Sequence, residues 1–84
     1  MDAGPPGHHE DVTYTAIAAL PQVDAASAVA GLRGQLRRLA GVDSTVPDWA
    51  TLRVLGPDEV VRDRGEVWYE WTAAVDARRV RPAR

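Results

Sequence analysis

The sequence predicts an α+β fold: a single β-α-β-β domain whose three-stranded antiparallel sheet carries one helix packed on one face. Three observations lead there. Val29, Leu32, Leu36 and Leu39 recur at intervals of three and four, the spacing of one helix face. Stretches before and after them alternate with a period of two, which marks extended chain. Gly65 separates two of those stretches and marks a hairpin.

Residues 1–11, MDAGPPGHHED, hold two prolines and nothing to bury, so they are expected to form a disordered leader. His8 and His9 are the only histidines, and two ligands on such a segment make a poor metal site. No metal is expected. The domain proper is expected over 12–77, followed by a basic tail at 78–84. VTYTAIAAL, residues 12–20, is β-branched and aromatic at its start and lacks a helix cap. Val12, Tyr14, Ala16, Ala18 and Leu20 share one face, and Thr13, Thr15, Ile17 and Ala19 share the other. Pro21 ends the strand.

Asp24 opens the helix, where its carboxylate can cap the free amides of the first turn and meet the positive helix end. Ala25, Ala28 and Ala40 widen the apolar stripe. Arg33, Arg37 and Arg38 lie off it. Gly41 is the expected stop. Gly31 and Gly34 each cost about 1 kcal/mol of helix propensity relative to alanine, and either permit a close approach or reflect codon bias. A loop with Pro47 as breaker is expected over 42–48.

Trp49 begins a second extended stretch that Gly56-Pro57-Asp58 interrupts as a bulge or corner. A three-residue loop, Asp63-Arg64-Gly65 with Gly65 left-handed, sets Arg62 opposite Glu66. A two-residue loop would instead oppose Glu59 and Glu70, which is unfavourable, so the three-residue loop is predicted. On the returning strand, Val67, Tyr69, Trp71, Ala73 and Val75 make the richer face, and the helix is expected to cover it. The reverse face carries Trp68, Glu70, Thr72, Ala74 and Asp76.

Trp68 therefore has no cover within a three-stranded sheet with one helix. It is expected to lie under another subunit or a ligand, or to be shielded by Arg62 or Arg53. Trp68, Thr72, Arg53 and Arg62 are the candidate interface residues. Trp49, Trp68 and Glu70 are the candidate ligand-binding residues, the indoles offering flat apolar surface and Glu70 a carboxylate beside one of them.

Composition sets the limits. The chain has 84 residues and no cysteine, so neither a disulfide nor a thiolate metal site is possible. A chain of this length buries only about 60% of its unfolded-state surface, which favours homo-oligomerisation. All ten basic residues are arginine, consistent with a bacterial genome rich in G and C. Residues 1–76 carry a net charge of −6 and the tail a net of +4, giving −2. So acidic a domain argues against nucleic-acid binding of the basic-patch kind. No apolar run approaches the length of a membrane span, and no basic-then-apolar start is present, so a cytoplasmic protein with no membrane contact is expected. Residues 12–77 contain neither histidine nor cysteine, so no nucleophile–histidine pair can be built there and an enzyme is not expected.

VDAA at the helix start, Trp49 at the head of the second strand and the long arm after a glycine turn resemble the dodecins over about residues 12–78. Those small flavin-binding proteins assemble into hollow shells. The resemblance implies an oligomer that holds a flavin-like aromatic ligand at its subunit interfaces, with Trp49 stacking on the flavin ring. The sequence departs from the family at Ala50-Thr51-Leu52, where bulkier residues follow the tryptophan, and at Glu70-Trp71, where the family offers a glutamine. The alternative is a small module that receives a protein partner on the Trp68 face or on a strand edge.

Overall fold

The structure, a computed structural model, describes residues 11–79. His8, His9, the rest of the expected leader before Asp11 and residues 80–84 of the tail lie outside the described residues. The chain is a small α+β domain of strand β1 (Asp11–Leu20), helix α1 (Ala25–Val42), strand β2 (Thr45–Val61) and strand β3 (Val67–Arg79). The sheet order is β1-β3-β2, with both pairs antiparallel. β1 and β2 thus run parallel, joined by α1 as a crossover, and the hairpin folds β3 into the gap between them.

The sheet extends past the limits expected for the domain. Arg78 and Arg79, expected in the tail, belong to β3. Arg78 pairs opposite Asp11, with Nε 3.6 Å from its Oδ1, and Arg79 Nη1 donates to the Asp43 carbonyl at 3.2 Å.

Asp24 caps α1 as expected: Ser27 donates its backbone N–H to Oδ1 at 3.0 Å and its hydroxyl to Oδ2 at 2.8 Å. These bonds, the backbone one first, hold the Asp24 carboxyl below its ordinary value. The buried stripe is Ala28, Leu32, Leu36 and Ala40, a strict four-residue ridge. Leu39, expected in the stripe, is exposed, because the narrow sheet accepts only that one ridge. The helix also runs past Gly41 to Val42.

The connection that follows is only Asp43 and Ser44, not the loop expected over 42–48. Ser44 takes a left-handed φ of 59°, which turns the chain at once into β2. Pro47 sits inside β2 opposite Ala77, tolerated because β2 is an edge strand of the described sheet. The turn is clamped from β1. The Tyr14 hydroxyl donates to Asp43 Oδ2 at 2.8 Å and lies 3.0 Å from Thr45 Oγ1, which in turn donates to the Ala40 carbonyl at 3.1 Å. Two hydroxyl protons serve these three contacts, so one contact is always without a proton.

The hairpin loop has the predicted register. Arg62 N–H donates to the Glu66 carbonyl at 2.7 Å, and Gly65 N–H to the Arg62 carbonyl at 3.1 Å. Gly65 is left-handed as expected, and so is Arg64, at φ 68°. The register avoids opposing Glu59 to Glu70 but sets Asp58 opposite Glu70 instead.

β2 carries two irregularities. Gly56 and Pro57 together oppose Trp71, the bulge the sequence suggested. Residues 49–52 together oppose Val75, a larger bulge that it did not. Gly56 has φ 129°, and a Cβ there would lie 2.7 Å from the Glu70 carbonyl oxygen and 3.0 Å from Trp71 Cα.

Trp71, Ala73 and Val75 of β3 are buried against the helix ridge, with Ala16 of β1, and Ala77 further along β3 is buried too. Val67, expected on the covered face, is exposed because it lies out on the hairpin tip next to the loop.

Replacing Gly56 with alanine is expected to destabilise the domain by about 2–4 kcal/mol, from its positive φ and the backbone overlap together. Gly31→Ala, on open helix surface with nothing near the new methyl, is expected to stabilise by about 0.5–1 kcal/mol. Urea unfolding followed by tryptophan fluorescence measures both; equal effects would refute the steric account of Gly56.

Candidate functional site on the open sheet face

Opposed residues on neighbouring strands share a face, so the pairing defines what the uncovered side of the sheet displays. From one end to the other its rows are Asp11–Arg78–Val46, Thr13–Asp76–Asp48, Thr15–Ala74–Arg53, Ile17–Thr72–Leu55 and Ala19–Glu70–Asp58. Trp68 and Val60 continue it on the hairpin. No helix or strand of the described residues lies over this face. Ile17 remains 58% exposed and Leu55 72%.

Trp68 is half-buried, because the Arg62 guanidinium lies over its ring, 4.3 Å from the centroid. Of the two shields the sequence offered, Arg62 is the one used. Arg53 turns the other way and binds Asp76. The apolar surface left open is therefore centred on Ile17 and Leu55. Ile17 was legible as the one large apolar side chain on the threonine face of β1. Leu55 was not, because its face is set by the bulge.

Trp49 lies on the opposite side of the sheet from Trp68. Its bulge turns the indole toward α1, half-buried against the core, with Arg33 and Arg37 over its ring at 4.7 and 5.4 Å. The two tryptophans of one chain therefore cannot clasp one ligand. Glu70 shares the open face with Trp68, but its cross-strand neighbour is Asp58, not Arg62. Among the described residues, neither acid makes an ion pair. Like charges so placed raise the energy of the isolated domain.

At the other end of the face, Asp76 ties three elements together. Its Oδ1 accepts from the Thr13 hydroxyl at 2.8 Å and from Arg53 Nη1 at 3.2 Å. Its N–H donates to Thr51 Oγ1 at 2.9 Å, and that hydroxyl donates to the Asp48 carbonyl at 2.7 Å. Arg53 Nη1 also donates to the Thr51 carbonyl at 2.8 Å, which fixes the 49–52 bulge. A shallow cleft of about 530 Å³ opens beside this network, lined by Asp11, Val46, Asp48, Thr51, Asp76 and Arg78 among others. The Thr13 hydrogen bond first, then Arg53, hold the Asp76 carboxyl below its ordinary value of 3.8.

The described residues contain no group of three or more metal-ligating side chains placed to hold an ion. No helix among them is long and apolar enough to cross a membrane. In comparison with known proteins, the chain matches no family model, no curated protein and no solved structure.

Because the Asp76 carboxyl is lowered on folding, its stabilisation is complete above the unfolded value of 3.8 and is lost as pH falls through the lower folded value. Thr13→Val removes the main cause. Wild-type stability is therefore expected to fall more steeply than the variant's between about pH 4 and pH 2. Denaturant titrations at a series of pH values check this; parallel curves would remove Thr13 from the account.

Proposed function

We propose that the chain is a non-enzymatic association module that works by closing the open face of its sheet against a protein surface. The observation that carries this is the row Ile17–Thr72–Leu55, whose two aliphatic side chains stand 58% and 72% exposed at the middle of a three-stranded face. An apolar row framed by Arg53 on one side and by Asp58 and Glu70 on the other has the layout of a small interface, apolar within and charged at its edges. Both displaced carboxyls, Asp24 and Asp76, are shifted toward permanent charge, which suits a helix cap and a cross-link rather than a proton donor.

Placing a photo-crosslinking amino acid at position 55, and separately at position 42 on the exposed helix end, tests this in the producing cell. Discrete adducts are expected from position 55 and none from position 42. Adducts from 42 alone, or from neither, would reject the open face as the working surface.

A second reading is favoured by the surroundings of Trp49. A half-exposed indole beside the guanidiniums of Arg33 and Arg37 suits an anionic aromatic ligand, such as a flavin phosphate. Titration with riboflavin and with its phosphate should quench tryptophan fluorescence, the phosphate more tightly. No response to either removes this reading.

A further inference from the structure

We propose that the open face closes on a second copy of this chain. The two-fold axis lies between the two sheets, at right angles to the strands, over the row Ile17–Thr72–Leu55. The inference rests on the association reading above and names the partner of that same face.

The argument is one of self-complementarity. A two-fold axis so placed reverses the direction along the strands and leaves each strand over its own counterpart. Ile17 then meets Ile17 and Leu55 meets Leu55 at the centre, so the most exposed apolar pair on the face is covered first. One row away, Arg53 of each copy faces Asp58 of the other, with Glu70 alongside on the neighbouring strand. The acids that oppose one another within a chain thereby gain an arginine, and each dimer does this twice. Two rows away, Trp68 and its stacked Arg62 face Asp76 and Asp48, two of the carboxylates lining the shallow cleft. A two-fold axis along the strands would instead lay β1 over β2, setting Glu70 against Glu70 and leaving Arg53 over Thr15 and Asp58 over Ala19.

The size is adequate for a modest dimer. Five rows span about 27 Å along the strands and three strands about 15 Å across them, at about 3.4 Å per residue and about 4.8 Å per strand. Side-chain relief raises the buried surface above that flat footprint, toward the lower end of specific interfaces at about 1,200 Å² in total. Self-association in the micromolar range is therefore expected.

Charge reversal tests the geometry. Arg53→Glu alone, and Asp58→Arg with Glu70→Arg together, each set like charges face to face in the dimer. Each should weaken self-association at least about ten-fold in sedimentation velocity. An equimolar mixture should restore dimers, because every facing pair across the mixed interface is again opposite in sign. Near-ultraviolet circular dichroism verifies folding. If Arg53→Glu fails to fold through loss of its Asp76 contact, the acid-reversed variant still decides alone, since among the described residues neither acid has an intrachain ion pair. Self-association unchanged by acid reversal, or a mixture of folded variants that stays monomeric, overturns the proposal. A wild-type chain that remains monomeric throughout also overturns it. In that last case, adducts from position 55 at a mass other than twice the chain's would leave the association reading intact with a different partner.

Discussion

The contact between the α1 ridge and the central strand holds this domain together. Trp71, Ala73 and Val75 lie on β3, which among the described residues is the one strand paired on both edges. Leu32 and Leu36 close over them and are fully buried. Ala16 and Ala73 stand opposite each other under the ridge, and their small side chains let the two leucines descend toward the sheet. Trp71 alone, 2% exposed, accounts for about 4–6 kcal/mol of apolar burial. Its backbone and ring edge lie so close to Gly56 that the two positions are matched: the indole fills the core because the opposing strand gives up a side chain there.

That seal has a consequence for the other side. A single helix can cover one face of a three-stranded sheet, and every large side chain of the core has been committed to it. The reverse face must then be made tolerable by other means. Near the strand ends it is polar and cross-linked, with Asp76 joined to Thr13 and Arg53. On the hairpin, Arg62 lays its guanidinium over Trp68. At the centre neither device is present, and Ile17 and Leu55 stand open. The distribution separates a face that is solvated at its margins from a patch suited to contact.

β2 decides how the face is composed. Strict alternation from Val61, which shares the helix side with Val67, would carry Leu55 to the covered side as well. The Gly56-Pro57 bulge adds one residue and flips the pattern, so that Val54 faces the core and Leu55 faces out. The second bulge flips it again and delivers Trp49 to the helix, beneath Arg33 and Arg37. The free edges are also handled differently. β2 carries two prolines and two bulges, whereas β1 is regular and has the Gln35 side chain donating to its Ile17 carbonyl at 3.1 Å. Both are recognised means of discouraging strand addition.

Local chemistry was legible in the residues themselves. Leucine spacing marks α1, Asp24 marks its cap and Gly65 marks the hairpin loop, because each of these signals acts within a few residues; the charge argument for the register carries less, since the observed pairing opposes Asp58 to Glu70. The alternation of 67–75 likewise assigns Trp71 to the core and Trp68 to the reverse face. Tertiary structure decided the rest. Pro47 reads as a breaker until β2 is known to be an edge strand, where a missing N–H costs nothing. The sides taken by Trp49 and Leu55 follow from how many residues of β2 oppose one residue of β3. That count belongs to the pairing of two strands, not to either strand's own pattern, because a bulge is defined only against its partner.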